Sequence, residues 1–540
     1  MSKIKNCGVM IDCSRNAVPN VKWLKGFIDI IAKMGYNTVQ LYTEDTYEVT
    51  NEPQFGHMRG RFSKAELKEI DAYCTEKGIE LIPCVQTLAH FNQLFVWPDY
   101  ADFRDMGDVL LVDDERTYRL IENIFKTCAE CFTSKNIHIG MDEAQLLGRG
   151  QFMDKHGYED RTSILLRHLE RVVKLAEKYG YKNPMMWSDM FFREVYGGDY
   201  YGKGKEVPEE VRKTIPKNVR LVYWDYYHDK EEDYRDYINQ HQKLDNDLIF
   251  AGGAWKWVGF NSANERSLNF TREALRACVS EGVEDVFVTL WGDNGGECSL
   301  NAILPSLYYF AQAAKGDFSV EHAKAGFEAL MGESWDDFML CDMKVPNRED
   351  VVFDFANGAK EMLFSDCFLG KFDSYVFGDG REGKFYAKLA EDFAGAKARS
   401  KNYGFMFESY EKLCKAMTLK YELGYRSKTA YHNGDMQELK KLASEYEQLV
   451  PLLEEFLDAF RNMWVLENKP HGFDVQDIRI GGVIQRIKSC GKRLKDYVNG
   501  ELSEIPELAE PIIDYRANEE KKKQMPFSNV YTNMVTVNLF

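Results

Sequence analysis

Short apolar runs alternate with longer amphipathic stretches through the first 315 or so residues of the chain. Eight of these runs are dense in β-branched and aromatic residues, at Cys7–Cys13, Asn37–Thr43, Ile79–Val85, Asn136–Met141, Pro184–Ser188, Val219–Trp224, Leu248–Gly252 and Val286–Trp291. Their brevity and near-continuous apolarity predict strands buried on both faces. The stretches between them, such as Val21–Met34 and Lys64–Lys77, repeat apolar positions at helical spacing. Gly35, Gly78, Gly180 and Gly282 follow four of them, where a helix needs a left-handed C-terminal residue. Strand followed by helix, eight times in about 300 residues, predicts an α/β fold of the closed (β/α)8, or TIM, barrel type. An open doubly wound sheet is the alternative, but no G-x-G-x-x-G follows the first strand.

Beyond about Ser319 the strand pattern fades and long charged helical patterns take over, as in Phe385–Ser400, Phe405–Leu423, Asp435–Trp464 and Val483–Asn499. The expected organisation is therefore a catalytic barrel over residues 1–318 and a mainly α-helical C-terminal domain over residues 319–540. Charged runs such as Lys440–Glu447 read as a solvated face. No function is legible in this half; formation of a homodimer is one role open to it. The tail Gln524–Phe540 is rich in β-prone residues and is expected to return to a surface groove.

Composition narrows the function classes. The formal net charge is −17, which argues against nucleic acid or an anionic membrane as partner and suits a neutral substrate. Nine Trp and 30 Tyr supply flat apolar faces of the kind that sugar sites use. The twelve cysteines are scattered, and the opening Met-Ser-Lys-Ile-Lys has no signal-peptide apolar core, so reduced thiols and a cytoplasmic location are expected. Cys128-Ala-Glu-Cys131 is a lone C-x-x-C with no second pair nearby. His90, Asp12 and Asp45 are ligand types, but no H-x-x-H or H-x-D spacing supports a metal, and no cofactor is expected. No run of about 18 apolar residues suggests a membrane span.

In a barrel of this kind the chemistry is carried by residues just past each strand. Those positions hold Asp12, Ser14 and Arg15; Glu44, Asp45 and Tyr47; Gln86 through His90; and Asp142 with Glu143. The second half ends its strands in Trp187, in Trp224-Asp225 with Tyr226 and Tyr227 behind them, in Trp255, and in Trp291-Gly292-Asp293. Acids and polar groups would accept hydrogen bonds from sugar hydroxyls, and tryptophans would wall the C–H faces. The adjacent pair Asp142-Glu143 is the most chemical feature, because two nearby carboxylates in unlike environments yield one proton donor and one fixed anion. The bland reading of the pair is that Asp142 caps the next helix and Glu143 sits in its first turn. For each single Trp the bland reading is core packing.

Several of these stretches resemble glycoside hydrolase family 20, the β-N-acetylhexosaminidases. His138-Ile-Gly-Met-Asp142-Glu143 is similar to the family's H-x-G-x-D-E signature, and Trp291-Gly-Asp293 to its late Trp-Gly-Glu/Asp element. Gly8-Val-Met-Ile-Asp12-Cys-Ser-Arg15 and Gln86-Thr-Leu-Ala-His90 also fit. Tyr42-Thr-Glu-Asp45-Thr and Met141 through Gly150 resemble the hexosaminidase D-like and streptococcal exo-N-acetylglucosaminidase-like branch. The resemblance covers roughly residues 5–315.

It implies exo-acting release of terminal β-linked GlcNAc or GalNAc from oligosaccharides or glycoconjugates, by a retaining, substrate-assisted mechanism without metal or cofactor. Glu143 would be the general acid and base, and Asp142 would hold the 2-acetamido N–H. Arg15, Asp45, His90, Trp187, Trp224, Asp225, Tyr227, Trp255, Trp291 and Asp293 would bind substrate. Two positions depart from the family pattern. Cys7 stands where an Arg usually binds sugar hydroxyls, leaving Arg15 or another loop to substitute. Trp255 stands where a Tyr usually meets the acetamide oxygen, leaving Tyr226 or Tyr227 to supply a hydroxyl. A carbohydrate-binding barrel without turnover, and a hydrolase of another barrel family, are the competing readings.

Overall fold

The computed structural model describes residues 4–344, 358–515 and 530–539. Seven strands are named in it: β1 (Asn6–Asp12), β2 (Thr38–Tyr42), β3 (Glu80–Cys84), β4 (Met185–Trp187), β5 (Arg220–Trp224), β6 (Leu248–Gly253) and β7 (Asp285–Leu290). All neighbours pair in parallel, in the order β3-β2-β1-β7-β6-β5-β4. The edges β3 and β4 do not stay open. His138 bridges Cys84 on one side and Met185 on the other. The ladder continues through the His138 N–H to the Pro83 carbonyl at 2.9 Å and the Met185 N–H to the Ile137 carbonyl at 2.8 Å. The expected fourth strand at 136–141 is thus reduced to a short bridging segment, yet it closes the ring as the eighth position of a (β/α)8 barrel. Its shortness has a local cause: Gly140 and Met141 are left-handed, at φ 72° and 73°, so the chain leaves the extended state early.

The strands are apolar because both faces are covered, and Val9, Met10, Ile11, Val39, Ile137, Val222 and Val288 are all fully buried. The helices between them form for legible reasons. Helix Val21–Met34 starts at Asn20, whose side chain accepts the Trp23 N–H, and buries Leu24, Phe27, Ile28, Ile31 and Met34 along one stripe. It ends at Gly35 with φ 102°. Helix Lys64–Glu76 opens with a reciprocal capping box between Ser63 and Glu66. Gly78, Gly180 and Gly282 share the left-handed conformation of Gly35.

Two compact units divide the chain. The first comprises Met1–Ala254, Glu265–Trp291 and Ser306–Ala323, and holds the seven strands named above. The second comprises Trp255–Asn264, Gly292–Pro305 and Lys324–Phe540. Its body is a succession of long helices, Arg381–Arg399, Gly404–His432, Met436–Glu467 and Phe473–Val498, each packed chiefly on the next. Aromatic pairs such as Phe460–Phe473 and Phe393–Tyr410 fill the space between them.

Two segments that follow strands group with these helices and are held by buried polar contacts. Asp342 accepts hydrogen bonds from the Ser262 hydroxyl and the Asn264 N–H, both at 2.7 Å. Glu297 is buried against Lys360 at 2.9 Å and Arg479 at 3.3 Å. The end of the chain differs from its β-prone expectation: Tyr531–Val535 is a short helix, with Tyr531 edge-on to Phe364 and beneath the Arg479 guanidinium. Residues 524–529 and 540 of that tail lie outside the described residues.

Candidate active site

The paired carboxylates sit where the closing segment leaves the barrel. Asp142 is buried and held by two strand-end groups. Its Oδ1 accepts Gln86 Nε2 at 2.8 Å and its Oδ2 lies 3.2 Å from His90 Nε2. Burial pushes its pKa up, but the charge and hydrogen bond of His90, with Gln86, outweigh this and hold it below the usual Asp value. His90 responds in kind. Burial alone would lower it, and the charges of Asp142 and Glu44 raise it to about 10, so it is a cation at neutral pH. Asp142 does not cap a helix, since the residues after it form turns up to helix Gln151–His156.

Glu143 projects differently. Its side chain is 45% exposed, its φ is 51°, and its Oε1 lies 3.4 Å from Arg193. Its N–H donates to Asp189 Oδ2 at 3.1 Å. One carboxylate is therefore enclosed and charged while its neighbour stands open to solvent. His138 keeps the turn in shape: its Nδ1 accepts the Gly140 N–H at 3.1 Å, and burial depresses its pKa to about 3, so it stays neutral.

The two acids at the second strand end take different partners. Asp45 is paired with Arg59 at 3.1 Å, and that guanidinium also binds the Ser14 carbonyl and Asn16 Oδ1. Glu44, at φ 43°, is the group that accepts Arg15 at 3.0 Å and the Tyr42 hydroxyl at 3.1 Å, 3.7 Å from His90. Arg15 is thereby placed beside Asp12, Glu44 and His90. Cys7 lies at the opposite end of β1 from Asp12, its N–H bonded to Asn37 Oδ1, so no side chain of that size reaches the strand's C-terminal end.

Three of the four expected tryptophans form a connected wall. Trp187 lies 6.1 Å from Trp291 between ring centroids. Trp291 donates its Nε1–H to the Tyr226 hydroxyl at 2.9 Å, and Tyr226 stacks on Trp224. Trp187 is 1% exposed and Trp224 8%, whereas Trp291 is half-buried. Tyr227 is 43% exposed beside them, while Asp225 is buried and takes up the Tyr223 hydroxyl, the Tyr227 N–H and His228. Trp255 and Asp293 belong to the second unit, where Trp255 stacks on Trp257 and Asp293 has φ 40°. Sequence reasoning marked Gln86 and Tyr42 by position and motif without giving them a role, and passed over Arg59, Asp189 and Arg193. A carboxylate two residues beyond Trp187 was a readable signal for Asp189; nothing local marked Arg59 or Arg193.

Residues 6–252 match the model described as glycosyl hydrolase family 20, catalytic domain, and residues 336–526 match the glycoside hydrolase 20C C-terminal domain. The chain belongs to glycoside hydrolase family 20. Among family relatives, hexosaminidase D of Bos taurus is 24% identical over 348 residues, covering 59% of this chain and 95% of its own. Hexosaminidase D of Homo sapiens is 23% identical over 39% of this chain and 43% of its own, so the chain spans less than half of that relative. Among solved structures, the family 20 exo-β-N-acetylglucosaminidase of Vibrio harveyi in complex with N-acetylglucosamine superposes with a TM-score of 0.46 at 15% identity, covering 62% of this chain and 59% of that one. As a family member, the chain is a glycoside hydrolase.

Proposed function

We propose that this chain is an exo-acting β-N-acetylhexosaminidase, releasing terminal β-linked GlcNAc or GalNAc with retention and with the substrate's own acetamide as nucleophile. The single observation that carries the reading is the unlike pair: Asp142 enclosed as an anion by His90 and Gln86, next to a solvent-facing Glu143. Glu143 protonates the glycosidic oxygen as the bond to C1 breaks. The acetamide carbonyl oxygen attacks C1 and closes an oxazolinium ring. Asp142 accepts the acetamide N–H, and its fixed charge opposes the positive charge growing on that ring. Each Asp142 oxygen is already bonded once and keeps a second lone pair for this contact. Glu143, now ionised, takes a proton from water, whose oxygen opens the ring at C1.

In this reading Arg15 and Glu44 meet sugar hydroxyls, Trp291 with Trp187 and Trp224 behind it walls the ring's C–H side, and Tyr226 takes the acetamide role. Asp45 supports this site through Arg59. Twelve buried cysteines, none of them in a disulfide, fit a reducing compartment such as the cytoplasm. No described helix is long and apolar enough to cross a membrane.

The test is a panel of aryl β-glycosides bearing 2-acetamido or 2-hydroxy groups, with Glu143→Gln as control. Only the 2-acetamido compounds should turn over. The variant should lose about 10²–10⁴ in rate on poor leaving groups and less on activated ones. Comparable cleavage of the plain glucoside would overturn substrate assistance, and near-wild-type turnover of a disaccharide by Glu143→Gln would overturn its role.

A further inference from the structure

Strand β4 runs directly into the short helix Asp189–Arg193, and this helix reaches across to the loop that carries Glu143. Asp189 is fully buried at the first position of the helix, yet it does not cap it. Its Oδ2 instead accepts the Glu143 N–H at 3.1 Å and Arg193 Nε at 2.8 Å, while its Oδ1 has no hydrogen-bond partner among the described residues. Arg193, one turn on, donates Nη1 to the Gly198 carbonyl at 3.0 Å, and its Nη2 lies 3.4 Å from Glu143 Oε1. Packing alone would not choose a buried carboxylate with one idle oxygen, because its desolvation is costly and an apolar residue of that size would fill the space.

The two contacts fall on the two parts of Glu143 that decide where its carboxylate points. The N–H contact holds a left-handed backbone at φ 51°, a conformation a glutamate adopts only when its surroundings impose it. The guanidinium contact limits the swing of a side chain that is otherwise half open to solvent. Arg193 is in turn aimed by Asp189 and by Gly198, so the orientation of Glu143 is set from a different strand end than its own.

We propose that Asp189 and Arg193 are positioning residues that clamp Glu143, backbone by one and carboxylate by the other, for proton transfer to the leaving group. This rests on the reading of Glu143 as the proton donor. The clamp should matter in proportion to how much the leaving group needs its proton.

The experiment compares wild type, Glu143→Gln, Arg193→Met, Arg193→Lys and Asp189→Asn on aryl β-N-acetylglucosaminides of graded leaving-group acidity and on a disaccharide, with melting temperatures recorded alongside. Arg193→Met should lower kcat about 10–100-fold on the disaccharide and the poorest aryl groups, with little change on the most activated one and none in KM. Arg193→Lys should recover part of the loss. Asp189→Asn should show the same slope, and the double variant should be no worse than the worse single one, because the two act as a unit. A uniform fall across the series that follows a lowered melting temperature would reduce the pair to a packing role. Wild-type kinetics in Arg193→Met, with Glu143→Gln impaired, would remove the clamp alone. An unimpaired Glu143→Gln would remove the reading beneath it, and the clamp with it.

Discussion

Asp142 decides between two accounts of the same residue. As a fixed anion for the acetamide N–H, it matters more in the transition state than in the ground state, so Asp142→Asn should lower kcat on the order of 10²–10³-fold with a smaller change in KM. As a merely structural acceptor for Gln86 and His90 it would change kcat only in step with stability. Steady-state kinetics with a circular dichroism melt separates the two, and unchanged kcat at unchanged stability would refute the catalytic role. The pair itself was legible in the sequence as an acidic doublet at the end of an apolar run. What made Asp142 the buried anion was not, since His90 and Gln86 come from a different strand end.

Between residue and fold stand the loops that aim these groups, and one carboxylate organises the loop behind Glu143. Asp105 accepts the backbone N–H groups of Gly148, Gly150 and Phe152 at 2.6, 3.1 and 2.9 Å. Asp105→Ala would strand three donors, two of them buried. It should cost about 2–4 kcal/mol of stability and loosen the site. Urea melts and kcat on a disaccharide check both; a stability change under about 0.5 kcal/mol, the range of an ordinary surface substitution, would deny the anchor. The flanking elements were readable from local rules, as the capping box at Ser63 and the left-handed Gly35 show. The anchor was not, because Asp105 and Gly148 lie 43 residues apart and neither belongs to a periodic pattern.

For the whole molecule, the discontinuous second unit has a consequence for dissection. A chain ended at residue 318 would strip Glu297 of Lys360 and Arg479, and Ser262 and Asn264 of Asp342. A buried charge left without its partners costs about 3–5 kcal/mol, so this truncation should be insoluble or unfolded by circular dichroism. A cooperative melt near that of the full chain would show the barrel to be self-sufficient. The first unit should also be acid-sensitive. Burial depresses His168 and His241 to about 4 and His138 to about 3, against about 6.5 in the unfolded chain. The unfolded state therefore binds more protons between pH 6.5 and 4, and stability falls as pH drops through that window. His168→Gln should flatten the dependence by up to one proton in urea melts between pH 7.5 and 4.5; an unaltered slope would show that His168 does not contribute.

The sequence by itself determined the eight-fold repeat of strand and helix, the helix ends, the helical second half and the strand-end positions of the acids and tryptophans. These follow from hydrophobic period and terminal residues, which act within about ten neighbours. Only the tertiary structure decided that residues 136–141 close the ring through a short bridge, that Glu44 rather than Asp45 faces Arg15 and His90, and that Asp189 and Arg193 turn toward Glu143. The direction of a side chain just past a strand depends on the backbone angles of one or two residues. At Glu44, His90, Met141 and Glu143 those angles lie in the left-handed region, at φ 43°, 64°, 73° and 51°. No local preference of those residues selects that region; it is imposed by partners arriving from other strands, and they meet only once the barrel has closed.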